Sequence, residues 1–191
     1  MSHYLSCKIA DFLVQQQQIS EGEWAICQYG YDTLIYTMEQ TVLLLLIGIC
    51  LHQIPGTLLY IAAYFLIRRY TGGYHASTRL SCTALTLLTY LLSIELGNAL
   101  TKFPHFYIVI GILQIIYYVL IYHYAPVEHP DKPLTDNQIR RNRKNAFILS
   151  ILFTIVILLC SLHSINAAST LTCSLMSIAV LTIHRGHSSL S

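Results

Sequence analysis

Long apolar segments occupy most of this 191-residue chain and constrain its fold more than any other feature. The segments are 33–53, 55–68, 82–100, 104–124, 146–163 and 166–183. Hydrophobic residues make up 54% of the sequence and charged residues only 10%, whereas soluble domains carry about 25% charged residues. Such a chain cannot cover a globule with polar surface, so the apolar segments indicate lipid as the solvent.

The lengths of the segments predict which of them cross a bilayer. A hydrocarbon core of about 30 Å needs about 20 residues of helix. The second segment is short, opens at Pro55 and closes at Arg68, so it must thin the bilayer, snorkel its arginines or stop before a full crossing. Only Ser164 and Ile165 separate the last two segments, which predicts a tight helical hairpin.

Residues 1–28 precede the first apolar segment and lack the apolar core and cleavage site of a signal peptide. Read as a helix, they carry an apolar stripe opposite a polar face. The stripe consists of Tyr4, Leu5, Ile9, Phe12, Leu13 and Ile19. Two interpretations stay open: a helix lying in the membrane interface, and a cytoplasmic helix packed on the rest of the protein. We therefore predict an all-α polytopic membrane protein, a single domain over 1–191, with about six membrane segments and an N-terminal amphipathic helix.

The distribution of positive charge predicts the orientation in the membrane. A cytoplasmic N-terminus puts residues 69–81, 125–145 and 184–191 on the cytoplasmic side. Ten of the eleven lysines and arginines then lie inside and only Lys102 lies outside, as the positive-inside rule requires. Both termini are expected in the cytoplasm. A formal charge of +2 does not suggest nucleic acid as a partner.

The stretch with candidate chemistry is 66–82, which reads LIRRYTGGYHASTRLSC. A cysteine nucleophile such as Cys82 needs a base to take its proton, and His75 is of the right type. The ordinary alternative is a loop histidine near an interface cysteine. In one straight helix their Cα atoms would lie ~10.5 Å apart. We therefore predict that the helix breaks between His75 and Arg79, with Gly72 and Gly73 letting the loop fold back.

Three motifs make the chain resemble the accessory gene regulator B (AgrB) family. The first is Leu66-Ile67-Arg68-Arg69 followed by Gly73, His75-Ala76 and Cys82. The second is Tyr124-Ala125-Pro126 followed by Lys132-Pro133-Leu134 and the basic run Arg140-Arg141-Asn142-Arg143-Lys144. The third is Tyr29-Gly30 with Asp32. The resemblance covers nearly the whole chain.

The resemblance implies a cysteine endopeptidase of the bacterial cell membrane that processes the AgrD precursor of a quorum-sensing peptide. Cys82 would attack the bond before the acidic tail, and His75 would take the thiol proton. A thiolactone or lactone ring would then close from an acyl-thioester. The partners implied are an AgrD-like precursor, membrane lipid and a second copy in a homodimer, and no cofactor is implied.

Further residues receive supporting roles. Arg68 and Arg69 are interfacial anchors or, with Arg79, bind the substrate's tail or carbonyls. Arg140 and Arg141 face anionic lipid and could also dock an acidic peptide tail. The remaining candidates are Asp32 and Glu39, either of which could orient His75, and Gly73 in the loop.

Rival functions predict other patterns. A small transporter, or an exporter of a peptide without proteolysis, would use Glu95 and Asn98 to line a path. A metalloenzyme would need a motif such as HExxH, and a serine hydrolase GxSxG, both missing from the sequence. Two tail histidines, His184 and His187, form no metal site, so no metal is expected. A non-catalytic assembly factor also stays open.

Overall fold

The computed structural model describes residues 2–72, 78–127 and 135–186. Within these ranges the chain is helical and contains no strand. The helices are α1 (Ser2–Gln15), α2 (Trp24–Cys50), α3 (Ile54–Thr71), α4 (Arg79–Leu100), α5 (Phe106–Tyr124), α6 (Asp136–His163) and α7 (Ile165–Gly186). The prediction of an all-α polytopic membrane fold is confirmed. Five helical segments, in α2, α4, α5, α6 and α7, are long and apolar enough to cross a membrane, and the short α3 is not among them.

The basic run lies in a helix rather than in a loop over 125–145. Thr135 caps α6: its hydroxyl accepts from the Gln138 backbone N–H at 3.4 Å, and the Gln138 side chain accepts from the Thr135 N–H at 3.0 Å. The long polar residues that follow, including Arg140 and Arg141, are good helix formers. Helix α6 therefore begins well before the apolar segment that predicted it.

The chain divides into two compact units, Met1–Cys50 and Leu51–Ser191. In the first unit, α1 packs on α2 through small residues, and Ser6 and Ala10 are fully buried. The Trp24 indole N–H donates to the Asp11 carboxylate at 2.7 Å, which ties the end of α1 to the start of α2.

Three large apolar side chains of the predicted stripe on α1 are exposed, while Ile9 and Leu13 of the same stripe are half-buried. Tyr4, Leu5 and Phe12 are about half exposed or more, at 66%, 49% and 58% of their surface. An amphipathic helix in a membrane interface presents such a stripe to lipid. The interfacial interpretation of the N-terminal helix is therefore the one that this packing favours.

In the second unit, α3, α4, α5 and α6 all pack against α7. Two glycines approach Thr170 of α7 closely. A Cβ at Gly97 would lie 2.8 Å from the Thr170 Cα, and one at Gly56 would lie 3.4 Å from the Thr170 Cγ2. Glycines at these positions let the helices approach, as small residues do in membrane proteins.

The predicted hairpin of the last two segments is confirmed, because only Ser164 separates α6 from α7. A cysteine within an apolar segment is expected to behave as a small buried hydrophobe, and three cysteines of this chain meet that expectation to different degrees. Cys173 in α7 is buried, Cys160 is half-buried, and Cys50 at the end of α2 is exposed. Cys50 therefore does not fill a core position.

Candidate functional site

Cys82 lies in the first turn of α4. The preceding residue Thr78 is extended (φ −122°, ψ 154°), and α3 has already ended at Gly72, whose φ is +67°. The chain is thus interrupted at Thr78, between His75 and Arg79, where we predicted a break. His75 and Gly73 themselves lie outside the described residues.

Local sequence explains why α4 begins where it does. The Thr78 hydroxyl accepts from the Ser81 backbone N–H at 3.2 Å, and the Ser81 hydroxyl accepts from the Thr78 N–H at 3.3 Å. This reciprocal pair satisfies two N–H groups that a helix start leaves free. It fixes Cys82 one turn into the helix and half-buried, where the helix dipole stabilises negative charge.

Hydroxyl groups connect α3 to α4 over the two turns of α4 that follow Cys82. We call these three cross-helix pairs the hydroxyl ladder: Thr57–Tyr90 at 2.6 Å, Tyr60–Thr89 at 2.7 Å and Tyr64–Thr86 at 3.1 Å. The numbers rise along α3 while they fall along α4, so the helices are antiparallel and the next turn brings Arg68 to the level of Cys82. The tyrosine rings of residues 60 and 64 stack with centroids 5.3 Å apart.

The hydroxyl ladder was not among the features predicted from the sequence. Its signal is present in the sequence as tyrosines four residues apart on α3 and threonines three apart on α4, spacings that place side chains on one helix face. A hydroxyl buried in hydrocarbon needs a partner. Two such faces on neighbouring antiparallel segments therefore predict that the segments pair.

Arg68 lies at the end of the hydroxyl ladder nearest Cys82. Its guanidinium donates to the Tyr64 hydroxyl and stands 5.0 Å from the centre of the Tyr64 ring. The Thr86 hydroxyl, in turn, donates to the Cys82 carbonyl at 3.0 Å. Arg68 is half-buried, whereas Arg69 and Arg79 are exposed at the neighbouring helix ends.

The segment after α5 docks on the end of α3. The Val127 N–H donates to the Thr71 carbonyl at 2.9 Å, and a Cβ at Gly72 would lie 2.5 Å from the Val127 carbonyl oxygen. The Ala125-Pro126 motif precedes this contact directly. Two separate family motifs, one at the end of α3 and one at Ala125-Pro126, therefore meet beside the candidate site.

The acidic candidates lie in the first unit. The Asp32 carboxylate accepts from the Ser6 hydroxyl at 3.5 Å, a contact between α2 and α1. Glu39 is exposed and lines an apolar groove beside Leu5 and Met38. Whether either carboxylate orients His75 stays a prediction.

The basic residues of α6 have two different environments. Arg140 and Arg141 are exposed. Arg143 donates to the Tyr122 backbone carbonyl at 2.6 Å and stands 5.2 Å from the centre of the Tyr122 ring. Arg143 therefore caps the end of α5, a role that its place in the basic run did not predict.

Two other kinds of site were considered. Glu95 is exposed on α4 rather than turned toward its helix neighbours, which does not favour a transport path lined by this residue. Across the described ranges, no group of three or more His, Cys, Asp or Glu residues is placed to hold a metal ion. The chemistry that the described site offers is that of a thiol at a helix start with a guanidinium close by.

Comparison with known proteins gives one family. The family model described as accessory gene regulator B matches residues 6–184. A putative AgrB-like protein of Clostridium perfringens strain SM101 is 26% identical over 189 residues, which cover 95% of this chain and 85% of the relative. The accessory gene regulator protein B of Staphylococcus lugdunensis is 21% identical, over 81% of this chain and 80% of the relative. No solved structure matches significantly.

Proposed function

The chain belongs to the accessory gene regulator B family, and from this premise we propose that it is a membrane-embedded cysteine endopeptidase that matures a signalling peptide. Membership links the chain to the agr quorum-sensing system. The proposed substrate is an AgrD-like precursor, and the proposed product is a peptide ring closed by a thiolactone or lactone. A homodimer with its site on the cytoplasmic face of the bacterial membrane completes the proposal.

The proposed reaction has two steps. His75 takes the proton of the Cys82 thiol, and the sulfur attacks the carbonyl that joins the future signal to its acidic tail. The C–N bond breaks, the tail leaves as an amine that takes up the proton, and an acyl-thioester remains on Cys82. A Cys or Ser side chain within the peptide then attacks this thioester, which closes the ring and returns the Cys82 thiol.

The position of Cys82 is the observation that carries the proposal. Its half-buried thiol stands at a helix start, directly after an interrupted stretch and one turn from the Arg68 end of the hydroxyl ladder. Helix starts and neighbouring cations both stabilise a thiolate. Of the other five cysteines, Cys50, Cys160 and Cys173 lie away from the starts of their helices. Cys7 and Cys27 lie in the first unit, whose sequence contains no arginine.

The membrane setting supports ring closure over hydrolysis. Exchange of a thioester for a thiolactone leaves the number and type of bonds unchanged, so water is the competitor that wastes the intermediate. Cys82 is half-buried and lies where α4 enters its apolar stretch. A partly dry site admits a bound peptide while it limits water.

Arginines provide the proposed contacts to the precursor. Arg69 and Arg79 are exposed on the two helix ends that flank the interruption, and Arg140 and Arg141 are exposed at the start of α6. Guanidinium groups bind carboxylates in a bidentate manner. An acidic peptide tail is therefore the chemistry that these residues fit.

Co-expression with a candidate precursor tests the proposal. We expect the wild-type chain to release the tail, and Cys82→Ala and His75→Ala to abolish release to the detection limit. Cys160→Ala is the matched control, because Cys160 is also half-buried in a membrane helix. It should process normally.

Trapping distinguishes the mechanism from simple binding. Rapid quenching of the wild-type reaction should leave the peptide attached to Cys82 through a bond that hydroxylamine cleaves. Tail release by a correctly inserted Cys82→Ala variant would refute the peptidase assignment. Export of an uncut precursor by that same variant would instead support the peptide-exporter alternative.

A further inference from the structure

A directed chain of hydrogen bonds joins Arg68 to Cys82. Arg68 can only donate, so the Tyr64 oxygen is its acceptor. The Thr86 hydroxyl donates its only proton to the Cys82 carbonyl. In the Tyr64–Thr86 pair the tyrosine is therefore the donor. Each of the three protons in these bonds then has one acceptor. The bonds point in one direction, from the guanidinium on α3 to the first turn of α4.

This chain of hydrogen bonds holds the positively charged Arg68 guanidinium near Cys82. Three hydrogen bonds of about 3 Å each keep the guanidinium within about 9 Å of the Cys82 carbonyl. That separation is comparable with the Debye length of about 8 Å at physiological ionic strength. The half-buried site screens the charge less than open water does, so Cys82 should experience the field of Arg68.

We propose that Tyr64 is a positioning residue that holds the Arg68 guanidinium beside Cys82. This inference rests on the proposed nucleophilic role of Cys82 and adds a residue to it. The phenol hydroxyl accepts from Arg68 and donates to α4, while the ring stacks against the guanidinium. Tyr64 is 3% exposed, so packing determines the direction of its hydroxyl.

Tyr60 provides a matched comparison within the same ladder. Its hydroxyl is also buried and pairs with Thr89 at 2.7 Å and with the Thr86 carbonyl at 3.1 Å. Both partners are uncharged groups of α4. Loss of the Tyr60 hydroxyl therefore removes as much hydrogen bonding between the helices, but it leaves the bond between Tyr64 and Arg68 in place.

The test measures the local potential at Cys82 directly. The full chain in lipid nanodiscs is treated with iodoacetate or iodoacetamide, and alkylation at Cys82 is followed by mass spectrometry of its peptide. The ratio of the two rates reports positive charge at the thiol, because only iodoacetate is an anion. We expect Tyr64→Phe to lower the ratio about three- to fivefold at low salt, and Tyr60→Phe to leave it unchanged.

A double-mutant cycle with Arg68→Gln identifies the charge responsible. Arg68→Gln should lower the ratio as far as Tyr64→Phe does, and the double variant should lower it no further, since both changes act through one group. Equal ratios for Tyr64→Phe and wild type, or equal losses in Tyr64→Phe and Tyr60→Phe, would overturn the inference. Peptide processing plays no part in this measurement, so failure of the proposed peptidase activity would be seen separately, with Cys82→Ala.

Discussion

At the scale of single residues, two separate constraints act on Gly72. Its dihedral angles, φ +67° and ψ −142°, lie close to a region that is essentially confined to glycine. The absence of a Cβ also leaves room for the Val127 carbonyl, because a Cβ at Gly72 would lie 2.5 Å from the Val127 carbonyl oxygen. The residue thus both ends α3 and allows the segment after α5 to dock beside the candidate site.

We expect Gly72→Ala to lower peptide processing by about tenfold or more, because displacement of a site by about 1 Å can cost that much. The strained dihedral and the contact with Val127 should together lower the free energy of unfolding by about 1–3 kcal/mol. Rates of tail release and thermal unfolding in detergent measure both effects. Gly22→Ala is the control, since a Cβ at Gly22 meets only the Ser20 hydroxyl at 4.0 Å. Wild-type processing by Gly72→Ala would contradict the role given to this contact.

At the scale of the helices, α7 organises the second unit. Thirteen residues of α7 between Ile165 and Ile183 are buried, and nine of these are alanine, serine, threonine or cysteine. At Gly97 the α4 backbone comes so close that an added Cβ would lie 2.8 Å from the Thr170 Cα. Packing between small residues, rather than hydrophobic burial, is what associates helices in lipid.

Gly97→Ala should therefore be costly although alanine is the better helix former. The added methyl would lie 2.8 Å from the Thr170 Cα, and overpacking of this kind costs about 1–3 kcal/mol. Gly111→Ala on α5 is the matched control, because no atom lies within 4 Å of its added Cβ. Melting temperatures in one detergent should fall for Gly97→Ala and stay the same or rise for Gly111→Ala. Equal melting temperatures would show that α4 and α7 are less tightly packed than the structure indicates.

At the scale of the whole molecule, the question is whether α3 crosses the bilayer. Gly56 near the start of α3 and Gly97 near the end of α4 both face Thr170. Tyr64 and Thr86 pair near their opposite ends. Helix α3 therefore runs alongside α4 over nearly the whole depth of α4, and its 18 residues extend about 27 Å. This length is short of a typical core by only a few ångströms, which arginines at its end can accommodate.

Single cysteines in a variant without the native six test this topology. If α3 crosses the bilayer, Gln53→Cys and Asn137→Cys lie on opposite sides of the membrane. A thiol reagent that cannot cross the membrane should then label Gln53→Cys and Lys102→Cys from outside. It should label Asn137→Cys only after the membrane is permeabilised. The positive-inside rule sets the absolute orientation. Labelling of Gln53→Cys and Asn137→Cys from the same side would show that α3 turns back within the membrane.

The sequence predicts those features of the fold that depend on hydropathy and residue spacing better than those that depend on helix packing. Hydropathy was sufficient for the helices and the α6–α7 hairpin, because solvation by lipid dominates both. The spacing of His75 and Cys82 was sufficient for the break before Arg79, while the catalytic role of Cys82 stays a prediction. The hydroxyl ladder and the Gly72–Val127 contact could not be predicted in the same way. They depend on which helices become neighbours, and that choice is made by packing around α7.

The central place of α7 has a consequence for how the protein is made. Helices α3 to α6 are synthesised before α7, yet each of them packs against it. While the chain is still growing, α3 and α4 lack the partner on which both rest at Thr170. The contacts among Arg68, Tyr64, Thr86 and Cys82 lie between α3 and α4, so α7 supports them only through the two helices that carry them. We expect a chain interrupted before that point to leave α3 and α4 without the helix against which both pack.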